Sequence, residues 1–224
     1  MVTKPSSAGH RSFSMTEQAL RDTMVMLGAS LFQRGYATGG AGNLSAKLPD
    51  GTLLATPTGS CLGRLDPMRL ARVSMSGEHL GGDRPSKEVA FHLAIYHNKP
   101  NCQAVVHLHC THLTALSCLE GLDPANVIRP FTPYYVMRVG QLPLIPYYKP
   151  GDARIAGELG RRAPEGNAFL LANHGPVVTG KDLVDAVNNM EELEETARLA
   201  LLLHGQRIRY LSEPEVDELR RIKP

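Results

Sequence analysis

Residues 44–56 constrain the fold more than any other stretch. Leu44-Ser45-Ala46-Lys47-Leu48 alternates in polarity, Pro49-Asp50-Gly51 carries turn chemistry, and Thr52-Leu53-Leu54-Ala55-Thr56 returns as a second strand. A connection this short joins only antiparallel strands, so a doubly wound parallel sheet is disfavoured from the start. The rest of the chain alternates helical and strand patterns. A first helix is expected over 14–35: Ser14 and Glu17 have capping-box spacing, Leu20, Met24, Leu27 and Leu31 form one face, and Gly35 closes it. Helix is expected again over 86–99, opened by Ser86 and ended by Pro100, and over 111–120. Asp152 opens a helix over 152–162, and 181–204 carries Leu183, Val187, Met190, Leu193, Ala197 and Leu201 inward. Strands are expected at 103–109, 142–146 and 168–172, and the last twenty residues read as charged and peripheral. No repeat or low-complexity linker divides the chain. Residues 15–224 are therefore expected to form one α/β domain, a central mixed or antiparallel sheet flanked by helices. Residues 1–14, with four serines, Lys4, His10 and Arg11 and no apolar run, are expected to be a disordered extension.

Composition excludes several classes of partner. With 42% hydrophobic and 21% charged residues the chain is of ordinary globular type, and no apolar run approaches the roughly 18 residues of a membrane span. A net charge of +2 with no basic block argues against a nucleic-acid binder. The N-terminus has no secretory h-region, so a cytoplasmic location is expected. Cys61, Cys102, Cys110 and Cys118 include no CxxC pair and read as small buried hydrophobes in a reducing compartment.

The chemistry is concentrated in the nine histidines. Along Gln103–His109, alternation puts Val105, His107 and His109 on one face and Ala104, Val106 and Leu108 on the other. Two imidazoles two residues apart on a strand are about 6–7 Å apart at the backbone, close enough to share one metal ion. His174, at the end of the apolar run Phe169–Ala172 and followed by Gly-Pro, is the best third ligand, and Glu88 is the best carboxylate. His112 is a rival that has left the strand. His92, four residues beyond Glu88, and His97 read as structural, and His10, His79 and His204 as surface residues. Glu191–Glu195 reads as a solvated helix face on which Glu194 and Arg198 can pair.

Three segments offer backbone N–H groups to an anion: Gly42-Asn43, Thr58-Gly59 and Ser86-Lys87. Neither a P-loop nor a dinucleotide fingerprint is present.

As a set, Gly42-Asn43-Leu44-Ser45, Thr56-Pro57-Thr58-Gly59, Pro85-Ser86-Lys87-Glu88, His107-Leu108-His109 and Asn173-His174-Gly175 resemble the class II aldolase/adducin family over about residues 16–205. The stretches Phe32–Gly39, Ala55–Gly63, Val127–Tyr134, Tyr147–Asp152 and Asn188–Glu195 are most similar to its branch of 3-oxo-tetronate 4-phosphate decarboxylases. The resemblance implies a homotetramer with one Zn2+ per subunit, held by His107, His109 and His174, with Glu88 as a further ligand or as acid/base. It implies that Asn43, Thr58, Gly59, Ser86 and Lys87 bind the phosphate of a small sugar-acid substrate. Lys87 replaces the second serine of the aldolases, which points to a changed grip on substrate. The family's proton-donor tyrosine falls on Tyr134, with Tyr135 as its rival because the alignment needs a gap there. Arg129 and Lys149 are the candidates for the substrate carboxylate. The activity implied is decarboxylation to dihydroxyacetone phosphate and CO2 through an enediolate. The alternatives are an aldolase cleaving a ketose 1-phosphate such as fuculose 1-phosphate, and a silent module like the adducin heads.

Overall fold

A computed structural model describes residues 16–222. The strands are β1 (Asn43–Lys47), β2 (Leu53–Ala55), β3 (Ala71–Val73), β4 (His79–Gly81), β5 (Ala104–His107), β6 (Leu144–Ile145), β7 (Ala168–Leu171) and β8 (Gly175–Gly180). The α-helices are α1 (Glu17–Gln33), α2 (Val89–Asn98), α3 (Thr111–Ser117), α4 (Ala153–Arg162), α5 (Leu183–Leu202) and α6 (Glu213–Arg221). The strands form one sheet in the order β4-β3-β2-β1-β5-β8-β7-β6. The β6–β7 pair is parallel and the other neighbours are antiparallel, so the expected mixed sheet is present and the 44–56 hairpin is its β1–β2 pair.

The strand alternation divides two cores. Leu44, Leu54, Val106, Leu170 and Val178 face one way, against Met24 and Leu31 of α1, Leu113 of α3, and Met190 and Leu193 of α5. Leu53, Val105, Phe169 and Val177 face the other way, against Phe91 and Ile95 of α2 and Ile155 and Leu159 of α4. Burying side chains of this size stabilises by roughly 1.5–3 kcal/mol each, which is why both faces must be covered by helices.

Several boundaries differ from the sequence reading. The first helix starts at Glu17 with Thr16 as its N-cap, its side chain accepting from the Ala19 N–H; Ser14, like the expected extension 1–14, lies outside the described residues. Gly35 does close it, at φ 79. The second helix starts at Val89, and Ser86 instead receives the Glu88 N–H in the turn before it. Three strands were not expected: β3 and β4 because each has three residues, and β8 because Gly175-Pro176 reads as a break. Pro176 is tolerated because β5 pairs with β8 only from Val177 onward, so on that side no ladder hydrogen bond is asked of its nitrogen. The tail is not wholly peripheral: α6 has a Ser212–Glu215 capping box and buries Val216. The cysteines are all free, but only Cys102 and Cys110 are buried; Cys61 is half-buried and Cys118 exposed. Glu194 does not pair with Arg198, which reaches Glu195 instead. Among the described residues no helix is long and apolar enough to cross a membrane.

Candidate active site

The site lies where β5 ends, between β1 and β8. His107 is the last residue of β5, paired with Asn43 on one side and Val177 on the other. His109 follows just beyond the strand, and its Nε2 lies 3.1 Å from His107 Nε2. His174 occupies the turn between β7 and β8, its ring centroid 4.8 Å from those of both His107 and His109. Asn173 adopts a left-handed φ of 55 to make that turn, a conformation asparagine tolerates better than most residues.

The donor set fits a metal ion. The three histidines offer nitrogens that all lie within 4.8 Å of one another. His107 donates its Nδ1 proton to the Pro176 carbonyl at 2.8 Å. That fixes its tautomer and turns a bare Nε2 lone pair toward the other two rings, as a carbonyl on the far nitrogen does for metal-ligating histidines. Burial holds all three rings below the ordinary histidine pKa, and for His107 the neighbouring His174 and His109 add to it. They are therefore neutral near pH 7, the state a ligand requires. Nδ1 of His174 is buried without a hydrogen-bond partner.

Glu88 stands at the N-cap position of α2, over this cluster. Its Oε2 lies 3.5 Å from His107 Nε2 and its Oε1 3.5 Å from His174 Nε2. Asn43 donates its Nδ2 proton to Oε2 at 2.6 Å and is itself 4% exposed. The three candidate anion loops converge beside it. The Thr58 N–H donates to Arg84 O, and Pro57 bridges to Pro85, so Thr58-Gly59 is sewn to the segment entering Ser86-Lys87. The Gly39–Asn43 loop packs on the same turn: a Cβ on Gly40 would sit 3.3 Å from the Gly59 carbonyl.

The other candidates have different surroundings. His112 gives its Nδ1 and backbone N–H to Glu194. His92 bonds not to the Glu88 carboxylate but to Ser45. Tyr135 is buried, its hydroxyl donating to Asn126 at 2.9 Å, whereas Tyr134 is 61% exposed. Arg129 lies over the Tyr210 ring, and Lys149 is exposed. Sequence reasoning missed the Pro176 carbonyl and the Ser45–His92 pair. The β-branched run Val177-Val178-Thr179 and the four-residue spacing of Glu88, His92 and Tyr96 were the available signals.

Residues 22–201 match the family model described as Class II Aldolase and Adducin N-terminal domain. The chain belongs to that family. It is 65% identical over 208 residues to the 3-oxo-tetronate 4-phosphate decarboxylase of Escherichia coli strain K12, covering 93% of this chain and 98% of that protein. The crystal structure of YgbL from Escherichia coli superposes with a TM-score of 0.90 at 65% identity, covering 91% of this chain and 99% of that one. The L-fuculose phosphate aldolase of Methanocaldococcus jannaschii is 35% identical over 172 residues, 77% of this chain and 90% of that protein.

Proposed function

We propose that this chain is a metal-dependent carboxy-lyase that converts a 3-oxo-tetronate 4-phosphate to dihydroxyacetone phosphate and CO2. The observation that carries the reading is Glu88, held by Asn43 against a cluster of three histidines. The 65% identity to a decarboxylase, against 35% to an aldolase, directs it to loss of CO2 rather than of an aldehyde.

His107, His109 and His174 are assigned to one Zn2+ per subunit, with Glu88 beside it; an all-imidazole set of three suits zinc and leaves a position open. When bound there, the ion supplies Lewis acidity that favours negative charge on the substrate's oxygens. The substrate is a β-keto acid, so the C1–C2 bonding pair delocalises onto the C3 oxygen as CO2 leaves. Glu88, oriented by the Asn43 amide, passes a proton taken up from solvent to C2, which balances the electron pair left there by CO2. Thr58, Gly59, Ser86 and Lys87, with Asn43 at their inner edge, hold the phosphate through N–H groups, hydroxyls and one cation. They fix C2 against Glu88, and such positioning is a large part of the rate. Tyr134 is the second candidate for the proton, and a homotetramer acting in the cytoplasm completes the proposal.

Purified protein given 3-oxo-tetronate 4-phosphate is expected to release CO2 and dihydroxyacetone phosphate in equal amounts. A chelator should stop the reaction and Zn2+ restore it. Aldehyde release from fuculose 1-phosphate with no CO2 from the keto acid would replace this reading with aldol cleavage. Light scattering tests the tetramer.

A further inference from the structure

His92 is fully buried and takes no part in the chemistry above. It lies on α2 one turn after Glu88 and one turn before Tyr96, so the three residues form a single stripe facing the sheet. Each contacts the same short strand. Glu88 Oε2 accepts from Asn43 Nδ2 at 2.6 Å. His92 Nδ1 lies 2.6 Å from Ser45 Oγ. The Tyr96 hydroxyl lies 2.9 Å from the same Oγ and donates to the Ser45 carbonyl at 3.0 Å. Asn43 and Ser45 are two apart on β1 and share a face, so the upper rung holds the proposed proton carrier and the lower rungs hold the strand from which that rung projects. The lower rungs are dry: Ser45 is 0% and Tyr96 2% exposed. Burial pushes the His92 pKa down to about 3, so the imidazole is neutral and binds Ser45 as a dipole. Phe91, its ring centroid 4.8 Å from that of His92 and 5.5 Å from that of His107, packs against both rings.

We infer that His92 is a positioning residue for Glu88: by clasping Ser45 it fixes the register between α2 and β1, and so the place of the Glu88–Asn43 pair over the histidine cluster. A polar clasp suits this work better than an apolar contact, because a hydrogen bond weakens steeply outside a narrow range of length and angle whereas apolar packing tolerates sliding. The inference rests on the reading of Glu88 as proton carrier.

The test is steady-state kinetics of the zinc-loaded enzyme with 3-oxo-tetronate 4-phosphate, alongside zinc stoichiometry and unfolding temperature. For His92→Leu, kcat is expected to fall about tenfold or more, as for a displaced catalytic group. KM should stay within about twofold, because the phosphate loops are untouched. Zinc content should be unchanged. His92→Asn, whose amide can occupy the Nδ1 position, is expected to recover most of the lost kcat. Ser45→Ala should lower kcat alone and cost clearly less in the His92→Leu background than in the parent, since paired groups are non-additive; what remains is the Tyr96 hydroxyl's contact with the same Oγ. A His92→Leu enzyme with full kcat overturns the inference. So do additive losses, or equal losses of kcat and zinc in the Leu and Asn variants. Should His92→Leu fail to fold, Ser45→Ala carries the same kcat-against-KM test. Glu88→Gln separates the two levels. If it is fully active, the reading of Glu88 is wrong; if it is inactive while His92→Leu is normal, only the inference falls.

Discussion

Two glycines hold the histidine strand from either side. A Cβ on Gly42 would meet the His107 carbonyl at 2.9 Å, and one on Gly175 would meet the Leu108 carbonyl at 2.5 Å. Both residues also have positive φ, 84 and 154. Gly175→Ala is therefore expected to push β8 away from Leu108, and with it Pro176, whose carbonyl holds His107. Overpacking of this kind costs about 1–3 kcal/mol. Zinc content by atomic absorption should fall together with the unfolding temperature; full zinc binding in that variant would show that the contact is dispensable. The glycine of Asn173-His174-Gly175 was visible in the sequence, but its reason was not. It depends on a contact across the β5–β8 pair, which no local pattern reports.

At the scale of elements, α3 shows how a charge read as solvated becomes structural. Glu194 on α5 is 7% exposed. Its carboxylate accepts from the His112 and Leu113 N–H groups at 2.8 and 2.9 Å, capping the helix that begins at Thr111, two residues after His109. Glu194→Ala leaves both donors unpaired in a nearly dry site and should destabilise by about 1–3 kcal/mol. Glu194→Gln retains an acceptor oxygen and should lose less. Urea unfolding distinguishes them, and equal losses would show that the charge rather than the cap matters. The longer elements were legible because their periodicity is internal: the 44–56 hairpin, the helices over 152–162 and 181–204, and the alternation of Ala104–His107 are each encoded within one window. The partners of Glu194 and His92 lie far off in sequence on other elements, so spacing alone pointed each to the wrong neighbour. The meeting of His107, His109 and His174 was legible because an HxH pair on one strand face, with a third histidine at another strand's end, is a rare pattern. The His107 tautomer, set by the Pro176 carbonyl, required β8, which the Gly-Pro pair concealed.

For the whole molecule, buried neutral histidines tie stability to pH. His92 has a pKa of about 3 in the fold and about 6.5 when unfolded, and His107 is lowered in the same direction. Below about pH 6.5 the unfolded chain therefore binds more protons than the folded one, so stability falls as pH falls, through the window from about 6.5 down to 3 for His92. The slope is about 1.4 kcal/mol per pH unit for each such histidine. Urea unfolding of chelator-treated protein between pH 7 and 4 should show this decline, shallower in His92→Leu. A flat profile would mean that the rings are already protonated in the fold.

The place of β5, between a strand that precedes α2 and one that follows α4, also governs timing. Asn43, Glu88, His107, His109 and His174 come from distant parts of the chain, and such non-local pairings form only after the entropy of closing the intervening loops has been met. Helices such as α5 can form from local contacts well before then. The histidine cluster is thus assembled late, and capture of the proposed metal during refolding would mark completion of the sheet's centre rather than its beginning.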